Sequence, residues 1–205
     1  MKLRYRIGTR VIYWVWRVLF GLQIEGRENI PKNGGMIVAS NHLSNFDPPL
    51  VGTAVWGREC YFFSKKEIFA ISKFYSWIMK TFNAFEVDTE KPKRELQYTQ
   101  NLLNGGLGLI LFPEGTRSLK KHLLDFNPGI GWIALSSQVP IVPTAIKGTN
   151  TSLVSQFFRK NRVCVKFGEP VTTNGLKANK ENRELITQKV ERRIKELYES
   201  ISDAG

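Results

Sequence analysis

His42 and Asp47 stand five residues apart in the run Asn41-His42-Leu43-Ser44-Asn45-Phe46-Asp47. On a continuous helix five steps of about 100° would leave them about 140° apart. A loop must bring them together, and the end of an apolar strand on one side with Pro48 on the other makes one. An imidazole held at one ring nitrogen by a carboxylate is basic at the other, an arrangement suited to removing a proton from a hydroxyl near neutral pH. His42 is then the base and Asp47 its orienter. Taken alone, Asp47 before Pro48 serves equally well as a helix cap, and His42 as a polar loop residue. No G-x-S-x-G motif offers a serine nucleophile, so a base here acts directly on a substrate hydroxyl.

A second loaded run, Phe112-Pro113-Glu114-Gly115-Thr116-Arg117-Ser118, follows the apolar segment Leu107 to Leu111. Backbone N–H groups near Gly115, the hydroxyls of Thr116 and Ser118 and a bidentate Arg117 suit a phosphate monoester. By itself a turn with glycine and arginine is common on protein surfaces.

The elements that must position these loops alternate between strand and helix. Met36 to Ser40, Cys60 to Phe63, Ala84 to Val87, Leu107 to Phe112, Pro140 to Ile146 and Val163 to Phe167 are short apolar runs of strand type. Between them, Pro48 to Trp56, Ile68 to Thr81, Pro92 to Leu103 and Gly129 to Ser137 have helical composition. A last helix from about Lys180 to Ser200 carries Ile186, Val190, Ile194, Leu197 and Ile201 as one core-facing stripe. The pattern predicts an α/β fold: a mostly parallel sheet covered by helices on both faces, with functional loops at the carboxyl ends of its strands.

A chain of 205 residues with 42% apolar and 23% charged side chains supports a genuine core and excludes disorder. Cys60 and Cys164 have no CxxC or Cys/His partner, which excludes a zinc finger and a disulfide framework. No acidic pair has metal-ligand spacing, so neither metal nor cofactor is expected. The formal net charge of +12 points to polyanionic partners. Residues 169–205 carry seven acidic and seven basic side chains, so the excess lies upstream. Part of it lies in an N-terminal helix, where Arg6, Arg10 and Arg17 share an arc of roughly 40° opposite Val11, Ile12, Val15, Leu19 and Leu22. Tyr13, Trp14 and Trp16 flank the apolar side. With Arg17 interrupting it, the segment is too short to span a bilayer. Two readings follow, an interfacial membrane anchor and a helix packed on the domain. The division expected is residues 1–23 as an amphipathic interfacial helix and 24–205 as the main domain.

Together NHxxxxD and FPEGTRS resemble the glycerolipid acyltransferase family, in particular its bacterial 1-acylglycerol-3-phosphate acyltransferases. The likeness extends through Phe62-Phe63-Ser64-Lys65-Lys66-Glu67, Asn83-Ala84-Phe85-Glu86-Val87-Asp88 and Val139-Pro140-Ile141-Val142-Pro143. It implies transfer of a fatty acyl chain from an acyl carrier protein or coenzyme A thioester to the sn-2 hydroxyl of lysophosphatidate. Under it His42 and Asp47 are the catalytic pair, and Lys65 with a backbone N–H near Gly115 stabilises the oxyanion. Arg117 holds the phosphate, aided by Thr116 and Ser118, while Glu114 positions the loop or the glycerol. Thr89 stands where the family commonly has an arginine, and Lys91 is a candidate replacement. The resemblance also implies a peripheral, monotopic place on an anionic membrane, at its cytoplasmic face. The rival acceptors are glycerol-3-phosphate and other lysophospholipids. A non-enzymatic nucleic-acid or membrane-binding module is the competing class, and nucleic acid is not expected because RNP, KH, helix-turn-helix and zinc signatures are missing.

Overall fold

The computed structural model describes residues 1–64, 66–70, 72–86, 92–118, 123–151 and 162–202. Its strands are β1 (Gln23–Glu25), β2 (Met36–Ser40), β3 (Cys60–Ser64), β4 (Ala84–Glu86), β5 (Gly108–Leu111), β6 (Ile141–Lys147) and β7 (Cys164–Phe167). The helices are α1 (Leu3–Leu19), α2 (Asp47–Ala54), α3 (Lys66–Ala70), α4 (Lys73–Thr81), α5 (Pro92–Asn104), α6 (Gly129–Ser137) and α7 (Lys180–Ser200). The strands form one sheet in the order β1-β7-β6-β2-β5-β3-β4. Neighbours from β6 to β4 run parallel, whereas β7 turns antiparallel to β6 and takes β1 with it. The expected mostly parallel sheet is therefore found. The sequence reading missed β1, a strand of three residues with none fully buried, and joined α3 and α4 into one helix.

Strand alternation builds two apolar layers. Met36 and Val38 of β2 join Phe62, Ile110 and Val142 beneath Leu50, Val51, Met79 and Phe82 of α2, α4 and the residue after α4. Ile37 and Ala39 face the opposite way, towards Leu102, Ile130, Leu135, Ile186 and Val190 of α5, α6 and α7. Helices thus cover both faces.

The N-terminal helix divides its surface three ways. Tyr5, Thr9 and Trp16 are buried against the domain, and the Tyr5 hydroxyl lies 3.3 Å from the Cys60 N–H. The Lys2 N–H at the start of α1 donates to Glu59, itself buried, at 2.8 Å. Leu3, Ile7, Val11, Trp14, Val15, Val18 and Leu19 are exposed, as are Arg6, Arg10 and Arg17. The helix therefore packs one face on the domain and leaves another, apolar one exposed. Trp16 and Leu22 belong to the packed side and are withdrawn from the exposed apolar stripe. Among the described residues no helix is long and apolar enough to cross a membrane.

Ile110, 1% exposed at the centre of β5, tests how much the central strands support. Ile110→Ala should lower unfolding free energy by about 2–5 kcal/mol, the cost of deleting a core aliphatic side chain. Denaturant titration should show a lower midpoint with the slope unchanged, and an unaltered midpoint would show that the site's supporting strand is not packed as described.

Candidate active site

The two chemically loaded loops leave the carboxyl ends of β2 and β5, which lie side by side in register from Met36↔Gly108 to Ala39↔Leu111. From β2 the chain crosses to β3 on one side, and from β5 it crosses to β6 on the other. Adjacent strands whose connections depart in opposite directions open a crevice between their ends, the place where α/β sheets bind ligands.

Asn41 makes the transition from strand to loop. It is fully buried; its Nδ2 donates to the Ile146 carbonyl at 2.9 Å and its Oδ1 accepts from the Ile146 N–H at 2.8 Å. The side-chain amide thus acts as one further peptide unit between β2 and β6, beyond the last backbone pair Ser40↔Thr144. The ladder is extended while the main chain turns away, and His42 begins the loop at a defined point. The sequence reading gave Asn41 no role. Its signal was chemical, since asparagine alone with glutamine carries a donor and an acceptor on one planar group.

Asp47 then gathers that loop. Its Oδ2 lies 2.9 Å from His42 Nδ1 and accepts the N–H groups of Leu43 at 2.6 Å and Ser44 at 2.7 Å. Both backbone partners can only donate, which fixes Oδ2 as an acceptor and places the imidazole proton on Nδ1. Nε2 is left with its lone pair. Asp47 is the first residue of α2 and fully buried, and its carboxylate binds loop N–H groups upstream of the helix. That geometry departs from the helix-cap alternative. The imidazole is also stacked on Phe112, ring centroids 4.2 Å apart at 27°, so its plane is fixed as well as its tautomer.

The second loop is pinned to the first. Gly115 N–H donates to the Phe112 carbonyl at 3.0 Å, closing a turn in which Gly115 has φ of 70°. Only glycine takes that value at no steric cost. The expectation of Gly115 as an oxyanion donor is corrected here, because its N–H is already engaged. The N–H groups of exposed Thr116 and Arg117 donate to nothing among the described residues, and they are the donors near Gly115 that remain. Of the two roles expected of Glu114, positioning the loop is the one its contacts match. Its Oε1 accepts the His42 N–H at 2.8 Å and its Oε2 the Leu124 N–H at 3.0 Å, so this buried carboxylate fastens the loops together and does not reach for glycerol. Burial raises its pKa above the ordinary carboxylate value, opposed by the N–H groups of Leu124 and His42.

Ser118 is likewise a tether. Its N–H donates to the His42 carbonyl at 2.8 Å, and the residue is 1% exposed, so a hydroxyl offered to substrate is not what the structure gives. Arg117 and Thr116 are exposed on the same loop, free to meet a ligand. Lys65, Thr89 and Lys91 lie outside the described residues. Among the described residues no three His, Cys, Asp or Glu side chains converge as a metal site.

Comparison with known proteins finds relatives along most of the chain. The family described as Acyltransferase matches residues 21–147. A 1-acyl-sn-glycerol-3-phosphate acyltransferase of Bacillus subtilis is 28% identical over 196 residues, covering 94% of this chain and 96% of that protein. One from Streptococcus pneumoniae is 26% identical over 193 residues, covering 92% and 70%. The crystal structure of the 1-acyl-sn-glycerophosphate acyltransferase PlsC from Thermotoga maritima superposes with a TM-score of 0.70 at 27% identity, covering 98% of this chain and 80% of that one.

His42→Ala should abolish turnover with the unfolding transition preserved, since Asp47 keeps its two backbone donors when the imidazole is removed. Asp47→Asn should reduce kcat by about 10²-fold or more, because an amide nitrogen turned to Nδ1 favours the wrong tautomer. A near-normal rate in either variant would remove the pair from the chemistry.

Glu114→Gln should lower kcat more than it alters either KM, because one of two backbone N–H groups then faces an amide nitrogen. The raised folded-state pKa means that the native protein retains this proton to higher pH than the unfolded chain does. The stability from that retention is present below the unfolded value and lost as pH rises through the folded one. The stability gap between wild type and Glu114→Gln should accordingly narrow from acid to neutral pH in denaturant titrations. A gap that widens would contradict it.

Proposed function

We infer the reaction from a premise already in hand: the chain belongs to the acyltransferase family. The reading is a 1-acyl-sn-glycerol-3-phosphate acyltransferase, which moves a fatty acyl chain from a thioester of acyl carrier protein or coenzyme A to the sn-2 hydroxyl of lysophosphatidate and forms phosphatidate. The observation that carries it is the Asp47-held imidazole, His42 Nδ1 to Asp47 Oδ2 at 2.9 Å, at the crevice between β2 and β5. The names of the relatives from Bacillus subtilis and Streptococcus pneumoniae support the acceptor.

The acceptor hydroxyl approaches His42 Nε2. As its oxygen bonds to the thioester carbonyl carbon, the proton passes to Nε2 and the carbonyl electrons move onto oxygen. Asp47 faces the resulting imidazolium and stabilises it. Base assistance of this kind supplies about 10²- to 10⁴-fold. Collapse of the tetrahedral intermediate breaks the carbon–sulfur bond, and the proton on Nε2 goes to the departing thiolate. An ester and a free thiol result, and the imidazole returns to its starting form. The oxyanion takes donors from the Thr116 or Arg117 N–H and from Lys65, which follows β3 in sequence. The Arg117 guanidinium holds the phosphate monoester as a bidentate donor, with Thr116 beside it and Lys91 the candidate for the corner that Thr89 leaves uncharged.

Lysophosphatidate resides in bilayers, and α1 supports peripheral docking there. Leu3, Ile7, Val11, Trp14 and Val18 lie on an exposed arc of about 80° at helical spacing. Arg6, Arg10 and Arg17 border it, so apolar side chains meet acyl chains while guanidinium groups meet anionic phosphates. Trp16, on the packed face of the same helix, meets Phe46 of the His42 loop in a tilted ring contact, centroids 5.7 Å apart at 57°. Docking through α1 brings the lipid surface beside His42. The cytoplasmic face is the expected side, since thioester donors are found there.

The test offers labelled acyl thioester to lysophosphatidate, glycerol-3-phosphate and lysophosphatidylcholine in parallel. Lysophosphatidate should be the preferred acceptor, and preference for either of the others would replace it. Arg117→Ala should raise the KM for lysophosphatidate about tenfold or more with little change for the thioester. Equal effects on both substrates would make the loop arginine structural.

A further inference from the structure

Helix α4 presents a second apolar surface that the reaction does not use. Phe74 and Trp77 are 70% and 63% exposed, and their rings stack on each other, centroids 6.1 Å apart at 21°. The opposite side of α4 and the residue after it bury Met79 and Phe82 in the core, so the helix already has a packed face and this is an additional one. Two large aromatic side chains kept in water cost free energy unless something covers them.

The position of α4 indicates what does. Phe82 meets Tyr5 of α1 at a ring separation of 6.3 Å. At Gly8 of α1 a side chain would stand 3.2 Å from both Phe82 and Thr81, so the two helices are close neighbours there. By the 100° step, Phe74, Trp77 and Thr81 share an arc of about 60° on α4. The aromatic face therefore turns to the side on which α4 meets α1. Lys73 and Lys80, both exposed, lie next to that arc, as Arg6, Arg10 and Arg17 lie next to the apolar arc of α1. Each helix shows apolar groups edged by cations, and an anionic bilayer complements both parts.

We propose that α4 is a second bilayer contact, with Phe74 and Trp77 seated at the boundary between headgroups and acyl chains and Lys73 and Lys80 against lipid phosphates. This rests on the reading of α1 as a membrane-docking helix and adds to it. One helix on a surface can roll about its axis, whereas two define a plane. The second contact would fix which way the crevice between β2 and β5 faces the lipid.

The experiment uses the full chain and vesicles of mixed phosphatidylglycerol and phosphatidylcholine. Phe74→Ser with Trp77→Ser should weaken sedimentation with vesicles about tenfold, leaving the unfolding midpoint unchanged because both side chains are mostly exposed. Trp77→Phe should bind nearly as wild type but lose part of the tryptophan quenching by lipids brominated in their acyl chains, a readout independent of whether the double variant folds. Trp14→Glu is the parallel arm for α1. If Trp14→Glu weakens binding while the α4 double variant binds as wild type, the α1 reading stands and this proposal fails. If the α4 variant weakens binding and Trp14→Glu does not, α4 is a contact and the α1 reading fails. If the α4 variant keeps vesicle binding but slows transfer to a short-chain, water-soluble acceptor, the aromatic face serves a donor carrier protein and the proposal is overturned. Unchanged bromolipid quenching in Trp77→Phe overturns it as well.

Discussion

The catalytic loop is organised by one oxygen atom. Asp47 Oδ2 receives two backbone N–H groups and faces the imidazole, and these three contacts fix loop path, ring tautomer and ring orientation together. A fully buried carboxylate is expensive to desolvate and persists only where donors compensate it. Here the compensating donors belong to the loop that carries the base. The placement of His42 and the electrostatic stability of Asp47 therefore draw on the same oxygen, and the two backbone donors still compensate it when the imidazole contact is lost.

That arrangement needs a sheet beneath it. The first loop is held at its start by Asn41, which continues the β2–β6 ladder, and from the side by Glu114 and Ser118, which receive the His42 N–H and bind the His42 carbonyl. Both backbone groups of His42 are thus satisfied by the loop after β5. Adjacent parallel strands whose connections run over opposite faces of the sheet make this possible, since α2 lies on one face and α6 on the other while both loops start side by side. Glu114 and Ser118 hold His42, and this leaves Arg117 and Thr116 as the exposed part of their segment.

Much of this was legible in the sequence. Apolar runs of four to seven residues with turn signals between them match six of the seven strands among the described residues, and two motifs at strand ends point to the candidate site. What could not be read was the direction of hydrogen bonds. Glu114, Gly115 and Ser118 all have chemistry that suits a ligand, and residue type alone cannot tell a donor already engaged in a turn from one free to bind. The break between α3 and α4 was invisible because helical composition runs through it. The antiparallel turn of β7 was invisible too, since a short buried strand reads the same in either direction. Asn41 lay in plain view within its motif, yet its role depends on Ile146, more than a hundred residues away.

The same limit applies to α1, where periodicity offered packing and membrane docking as alternatives. A helix has about 360° of surface, and the buried side occupies only part of it. Tyr5, Thr9 and Trp16 take one arc. The exposed aliphatic residues take another, and the arginines lie between. The packed arc fixes the other two in place, because hydrogen bonding of the Lys2 N–H to Glu59 and the tilted ring contact of Trp16 with Phe46 hold the helix against the domain at both ends. An apolar stripe on a loosely tethered helix would bind lipid without placing the active site. Under the proposed docking, α1 fixed to the loop of His42 sets, by its depth and angle, the height of that residue above the acceptor. On that proposal, association with the membrane and orientation of His42 are set by one rigid element.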